Sequence, residues 1–446
     1  MENEEENKTN FKESITLKLI IIALISLALL IPGKMVQNLI HERMLTRNEV
    51  IQEINSSWGF KQTVTGPIIS VPYKSYQKDG EKVYVIKNYA HFLPKKLDLD
   101  VQINPEMRYR GIYEVIVYNA LIHFKGTFQD IDFENFNIKK EDILWDEVSI
   151  YLGITDMRGI NEAITFKLNH KTHEANPGIP CNDIVQSGIS ARISIPSDQK
   201  IDFNFSLNIN GSESLDFTPV GKITRINMKS NWSTPSFNGN ILPDERNIDK
   251  NGFTAKWNVL HFNRPYPQSW LNNKYDVNSS SFGVGLLMPV DQYQKAERAV
   301  KYAIMFIGLT FLVFFFSEIL IKKRIHPVQY LLVGSALLIF YTLLISLAEQ
   351  LSFSIAYLIS SISIIALISL FYKTLVKKTF PSIILAIIMA ALYIFLFTIL
   401  KLEDYSLLMG SIGLFIVIAI SLFLSGKIDW YAPVNIKIHK KNKDKK

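Results

Sequence analysis

Glu318, His326 and Glu349 lie within or beside long apolar runs, where an ionisable side chain is costly and is kept for a reason. A carboxylate or imidazole at membrane depth suits a proton relay or a substrate contact. Each of the three also has a plain structural reading. Glu318 has Lys322 at i+4, the spacing at which opposite charges pair along a helix. His326 and Pro327 form a turn before the next apolar run, where a helix N-terminus and interfacial water satisfy the ring. Glu349 closes a run, in a connection of a few residues. All three lie toward the ends of their runs, so snorkelling and turn formation account for them. Tyr330, Tyr341, Tyr357 and Tyr393 read as interfacial or packing aromatics.

Outside those runs the nearest approach to a metal site is His170, His173 and Glu174, in the string His-Lys-Thr-His-Glu. Pro177-Gly178 follows and no third ligand is identifiable, so a solvated polar loop is expected. The sequence has no Gly-rich phosphate loop, dinucleotide fingerprint, nucleophile elbow or His-Glu-x-x-His string. Cys181 is the single cysteine, which rules out an intrachain disulfide and a cysteine-based metal cluster. No catalytic, cofactor-binding or metal-binding residues are assigned, no cofactor is expected, and the chain is expected not to be an enzyme.

The elements that carry these residues follow from composition. Of 446 residues, 48% are apolar and only 20% charged, too apolar for an ordinary soluble protein. The expected fold is an α+β membrane protein with an N-terminal transmembrane helix, a large antiparallel β-rich extracytoplasmic domain and a C-terminal bundle of five transmembrane helices. The expected divisions are a cytoplasmic tail at 1–16, a span at 17–36, a β-rich domain with amphipathic stalks at 37–301, five spans at 302–424 and a basic tail at 425–446. The five spans fall at about 302–321, 328–347, 353–372, 381–400 and 407–424, each near the length a bilayer requires. The first run is short enough for a signal peptide, but the small residues Ser26 and Ala28 lie inside it rather than after it, which favours an uncleaved anchor.

Orientation follows from basic residues in short connections. Lys322, Lys323 and Arg324 follow the second span, Lys373, Lys377 and Lys378 the fourth, and the tail is richest, with Lys437, Lys440 and Lys441 among others. Glu349 to Ser352 carry no basic residue and Lys401 to Ser406 carry one. Both termini are therefore expected in the cytoplasm of a bacterial inner membrane, with the β-rich domain periplasmic. The formal net charge of +7 is concentrated toward the tail, where anionic headgroups rather than nucleic acid are the expected partner.

Val36, Ile40, Met44, Ile51, Ile54 and Trp58 recur at helical spacing with charged residues between them, an amphipathic stalk continuing the first span. Asp291 and Gln294 resemble an acidic capping box opening a second stalk, and the two are expected to pack together. Between them, Ile68 to Tyr73, Val83 to Ile86, Gly111 to Tyr118, Ser149 to Leu152, Ala191 to Ile195, Phe203 to Ile209 and Thr254 to Leu260 read as strands. Asp79-Gly80, Asn210-Gly211 and Asn251-Gly252 read as turns. One sandwich and two smaller β units are both compatible with this pattern.

Several strings are shared with a known family. They include Trp58-Gly59, Gly66-Pro67, Val71-Pro72-Tyr73, Arg110-Gly111-Ile112-Tyr113, Ser236-Phe237-x-Gly239 and Gly252-Phe253-x-Ala255-x-Trp257. Pro289-Val290-Asp291-Gln292-Tyr293 and the run from His326 through Gly334 complete the set. From about Ile40 to Tyr372 the chain resembles the CreD family of bacterial inner-membrane proteins, labelled cell envelope integrity proteins. The resemblance implies a connection with envelope stress and with tolerance of envelope-directed agents, and it brings no catalytic residues. The family pattern places a His after the acid that closes the third span. Here Gln350 follows Glu349, which puts a proton or metal role at that position in doubt.

The expected function is a non-enzymatic envelope protein whose outer domain meets an envelope or membrane partner, with the lipid bilayer as its other contact. Transport or lipid handling by the five-helix bundle is the alternative. A hydrolase would need a base beside a nucleophile, which no motif supplies.

Overall fold

The computed structural model describes residues 15–129, 131–195, 200–286, 292–321, 323–402 and 406–426. Lys322, Asp291, the Pro289 to Asp291 string and the basic tail therefore lie outside the described residues. The chain divides into two compact units, Met1–Arg47 with Val290–Lys446, and Asn48–Pro289.

The first unit is helical. Helices α1 (Ile15–Ala28) and α2 (Leu30–Trp58) are separated only by Leu29, and α2 extends beyond this unit. After the β-rich unit come α3 (Gln292–Lys301), α4 (Ala303–Ile321), α5 (Pro327–Ala348), α6 (Phe353–Val376), α7 (Thr379–Lys401) and α8 (Ser406–Ser425). Among the described residues four helices are long and apolar enough to cross a membrane: Leu17–Trp58, Pro327–Ala348, Phe353–Val376 and Thr379–Lys401. Gln292–Lys301 and Ala303–Ile319 make a fifth only if they count as one span bent by 48°, and Leu408–Phe423 is a shorter apolar helix. The expected spans all fall on helices, the last, expected at 407–424, on α8 (Ser406–Ser425).

Helix α5 is the hub, packing against α1, α3, α4 and α6, and α7 packs on α6. Its inward residues are large: Tyr330, Phe340 and Leu344 are fully buried. Ile355, Leu358, Ile362 and Leu367 of α6 are exposed, the arrangement lipid contact requires, because acyl chains are as apolar as the side chains they meet.

Helix α2 is amphipathic at its start, where Val36 and Ile40 are buried, while His41, Glu42, Glu49 and Glu53 are exposed. For α3 the expectation needs correcting. Its principal partners are α5 and α7 rather than α2. Tyr293, Ala296, Ala299 and Val300 form its buried face, and the two alanines permit close approach to the bundle.

The β-rich unit is built on two sheets. In strand order the first runs Pro235–Gly239, Phe282–Leu286, Ser214–Thr218, Gln62–Asp79, Ser149–Ile154, Gly188–Arg192 and Asn176–Pro177, with Lys82–Phe92 and Ser269–Leu271 branching from the Gln62–Asp79 strand. The second runs Glu245–Asp249, Gly252–Leu260, Ile223–Ser230, Lys96–Arg110, Tyr113–Phe128, Ile201–Ser212, Thr165–Leu168 and Lys171–Glu174. One continuous apolar core holds side chains of both sheets, among them Ile69, Tyr151 and Leu215 from the first and Val101, Phe124 and Phe205 from the second. The choice left open by the sequence falls on one unit.

Alternation explains the register. In Ile201–Ser212 the residues Ile201, Phe203, Phe205, Leu207 and Ile209 point inward and Asp202, Asn204 and Ser206 outward. Phe124 and Phe205 stack at 4.6 Å, and Phe166 meets Phe205 edge-on at 4.9 Å. Such pairs contribute about 1 kcal/mol beyond the area they bury.

Three expectations are corrected here. The sheets are not wholly antiparallel: Gln62–Thr65 pairs parallel with Leu215–Thr218, and Lys96–Ile103 pairs parallel with Ile223–Ser230. Long excursions separate each pair in sequence, and such connections permit parallel pairing where a tight turn cannot. Asn210-Gly211 is not a turn but lies inside a strand. Gly211 faces Tyr118, and a Cβ there would sit 2.4 Å from the Tyr118 hydroxyl, which donates to Ser214 O at 2.7 Å. The Lys96–Arg110 strand went unexpected although Leu97, Leu99, Val101 and Ile103 alternate, because Asp98, Asp100 and Pro105 lower its local β propensity. Asp79-Gly80 and Asn251-Gly252 do mark hairpin turns, with Gly80 at φ 63° and Gly252 at φ 142°.

Where α2 passes into the first strand, Asp156 gathers the backbone. Its carboxylate accepts from the Phe60 N–H at 3.0 Å and from Arg158 Nε and Nη2 at 2.9 and 2.8 Å, while Arg158 Nη1 reaches Ser56 O at 2.9 Å. The Arg158 hydrogen bonds outweigh burial and hold the Asp156 carboxyl below the ordinary aspartate value. A depressed folded pKa stabilises the protein above the ordinary value of about 4, and that stability is lost as pH falls through the folded value. Asp156→Asn is expected to cost about 2 kcal/mol at neutral pH, the worth of hydrogen bonds to a charged acceptor. Unfolding curves from pH 7 to pH 3 should show the gap from the parent narrowing below about pH 4. A constant gap would refute the assignment.

Candidate functional site

Lys322, the expected partner of Glu318, lies outside the described residues, and among those described Glu318 is engaged across helices. Lys18 of α1 forms an ion pair with it, and Tyr330 of α5 donates to Glu318 Oε2 at 3.2 Å. Lys18 also donates to Ile325 O at 2.9 Å and lies 5.8 Å from the Tyr330 ring centre. One carboxylate thus ties α1, α4 and α5 at one end of the bundle.

His326 is the N-cap of α5. Its Nδ1 accepts from the Val328 N–H at 3.3 Å and its own N–H donates to Gln329 Oε1 at 2.9 Å, a capping box completed by Pro327 in the first turn. The ring satisfies a helix start.

Glu349 caps the other end of α5. Tyr293 of α3 donates to its Oε1 at 3.2 Å, and Arg43 Nε of α2 lies 3.7 Å away. The two stalk helices meet at this carboxylate rather than along their apolar stripes. Tyr341, Tyr357 and Tyr393 surround Phe340 in the bundle interior, and the Tyr357 hydroxyl donates to Tyr393 O at 2.7 Å. They are packing residues.

In the β-rich unit, His170 sits in the turn after Thr165–Leu168 and is exposed, while His173 and Glu174 lie on the short Lys171–Glu174 strand, where successive side chains face opposite ways. They do not converge. A different group does. His91 of the Lys82–Phe92 strand is fully buried, with Nδ1 2.7 Å from Ser70 Oγ and Nε2 3.1 Å from Asp183 Oδ2. One ligand atom each from His91, Cys181 and Asp183 lie within 4.8 Å of one another. Burial pushes the Cys181 thiol up to about 12. No spacing signals this group, since strand pairing supplies one half and a distant loop the other.

The family model described as "Inner membrane protein CreD" matches residues 14–431. The chain belongs to the CreD family. It is 31% identical over 416 residues to the Inner membrane protein CreD of Escherichia coli (strain K12), covering 91% of each chain. The CreD match reaches beyond the strings between Ile40 and Tyr372 and takes in α7 and α8. With its apolar helices, the chain is a multi-pass protein of the bacterial inner membrane. The CreD string from His326 to Gly334 also acquires a physical meaning: a cap at His326 and Pro327, a helix tie at Tyr330, and a close helix approach at Gly334.

Proposed function

We propose that this chain is a non-enzymatic envelope protein, anchored with both termini in the cytoplasm, whose β-rich unit lies in the periplasm and supports envelope integrity or the response to envelope stress by meeting an envelope partner. The observation that carries this reading is the engagement of Glu318 and Glu349, each tied to other helices in the manner of a scaffold. The basic connections Lys323-Arg324 and Lys373 to Lys378 support the orientation. Phe262, 83% exposed on the β-rich unit, offers a probe position. With Phe262→Cys in a Cys181→Ser background, a membrane-impermeant maleimide should label intact spheroplasts, and a photo-crosslinker there should capture the same envelope protein across stress conditions. Labelling only after permeabilisation would overturn the orientation. Capture of no consistent partner would overturn the binding role.

Lipid handling is the second reading, favoured by a cavity of about 820 Å³ between α4, α7 and α8, with Leu309, Phe316, Pro381, Leu392 and Ile416 among its walls. Its lining is almost wholly apolar and suits an acyl chain. Lipid flux in proteoliposomes that is lost in Glu318→Gln or Glu349→Gln would favour this reading. Flux unchanged in both variants would remove these residues from any such role.

A further inference from the structure

We propose that His91, Cys181 and Asp183 form a binding site for a divalent metal of the zinc class. The three donors are an imidazole nitrogen, a sulfur and a carboxylate oxygen, a set that suits borderline ions and leaves a fourth position for water or a ligand. Zinc bonds of 2.0–2.3 Å place tetrahedral donor atoms about 3.4 Å apart. Nε2 of His91 and Oδ2 of Asp183 already stand 3.1 Å apart, and all three donors lie within 4.8 Å. Closing onto an ion takes a shift of about 1 Å, which Cys181 on its loop can supply.

The fold fixes the imidazole as a metal ligand needs to be fixed. His91 lies directly across from Ser70 on one neighbouring strand and from Trp270 on the other, and Ser70 Oγ holds Nδ1 at 2.7 Å. A ligating histidine bonds its second nitrogen to an outer partner that sets ring orientation and tautomer. A serine hydroxyl serves in both states because it donates or accepts. Metal binding releases the Cys181 thiol proton to solvent and, with Nε2 on the metal, the neutral imidazole carries its proton on Nδ1, which donates a hydrogen bond to Ser70 Oγ.

Cys181 and Asp183 are carried by the loop between Asn176–Pro177 and Gly188–Arg192, which the buried Ile184 and Val185 pin to the sheet. Val185 rests on Gly153, where a Cβ would stand 2.6 Å from its Cγ1, so the glycine lets the loop sit this low. The imidazole is wholly buried, while Asp183 and Cys181 are partly exposed, so the site opens outward on the sulfur and carboxylate side.

The test uses the full chain in detergent, stripped with a chelator and dialysed against zinc. One zinc per chain is expected to remain bound. Cys181→Ser and Asp183→Asn should each weaken retention at least tenfold and Ser70→Ala about tenfold, the range for lost outer partners. His170→Ala with His173→Ala should leave it unchanged. Cobalt loading gives an independent readout: Cys181 is the only thiol, so a cobalt–thiolate charge-transfer band in the near ultraviolet reports this site in the parent without relying on any variant to fold. Absence of that band, zinc retention equal in parent, Cys181→Ser and Asp183→Asn, or loss of zinc in the His170/His173 variant would each overturn the proposal.

Discussion

Replacing Lys18 with methionine is expected to destabilise the helical unit by about 3 kcal/mol, the low end of the cost of stranding one member of a buried ion pair. The Glu318 side chain is only 11% exposed, and without Lys18 it keeps Tyr330 as its remaining side-chain partner among the described residues. Because the cost comes from an uncompensated charge, removing the other charge as well should recover most of it. Lys18→Met/Glu318→Leu is therefore expected to be more stable than Lys18→Met alone. Thermal unfolding in one detergent, read as a double-mutant cycle, measures the coupling. Additive effects of the two substitutions would show that the pair is not a helix tie, and the scaffold reading of Glu318 would fall with it.

Gly334→Leu is expected to have a comparable effect by a steric route. A Cβ at Gly334 would stand 2.2 Å from Leu29 Cδ1 and 2.9 Å from Phe311 Cζ, at the place where α5 approaches α4 and the junction of α1 and α2. A single methyl is accommodated when the end of Leu29 swings aside, so Gly334→Ala should cost about 1 kcal/mol. A leucine leaves no such escape between Leu29 and the Phe311 ring, and helix separation of this kind costs about 3 kcal/mol. The damage should spread to Tyr330, one turn away on the same helix face, and loosen its bond to Glu318. Unfolding temperature and the amount of protein recovered from membranes measure the effect. A Gly334→Leu protein as stable as Gly334→Ala would refute the close approach.

Much of the frame is legible in the residues because it depends on local pattern. The apolar runs at 17–36 and 328–400 fall on α1, α2, α5, α6 and α7, since a membrane helix is specified by length and composition alone. Of the stripe from Val36 to Trp58, Val36 and Ile40 are buried and Met44, Ile51, Ile54 and Trp58 are half-buried, and the seven expected strand segments fall on or overlap strands. Patterns fail where one residue type serves two purposes. Asn210-Gly211 carries a turn signature, yet its glycine is there for the Tyr118 ring, a requirement visible only across the sheet.

The candidate sites divide in the same way. His326 and Pro327 are readable as a helix start, because capping uses neighbours within one turn. For Glu318 the sequence offers a neighbour, Lys322, four residues on, and gives no sign of Lys18, 300 positions earlier, which the fold brings to it. Glu349 draws Arg43 and Tyr293 from two other helices, and His91 draws Ser70 from the paired strand and Asp183 from a loop 92 residues away. Sequence by itself determined the class of the protein, the positions of its apolar helices and its family. Tertiary structure alone decided which charges meet, whether the β-rich segment is one unit, and which donors surround the lone cysteine. The reason is physical: periodicity and capping act over a few residues, whereas pairing of charges and metal donors depends on distances that only the folded chain closes.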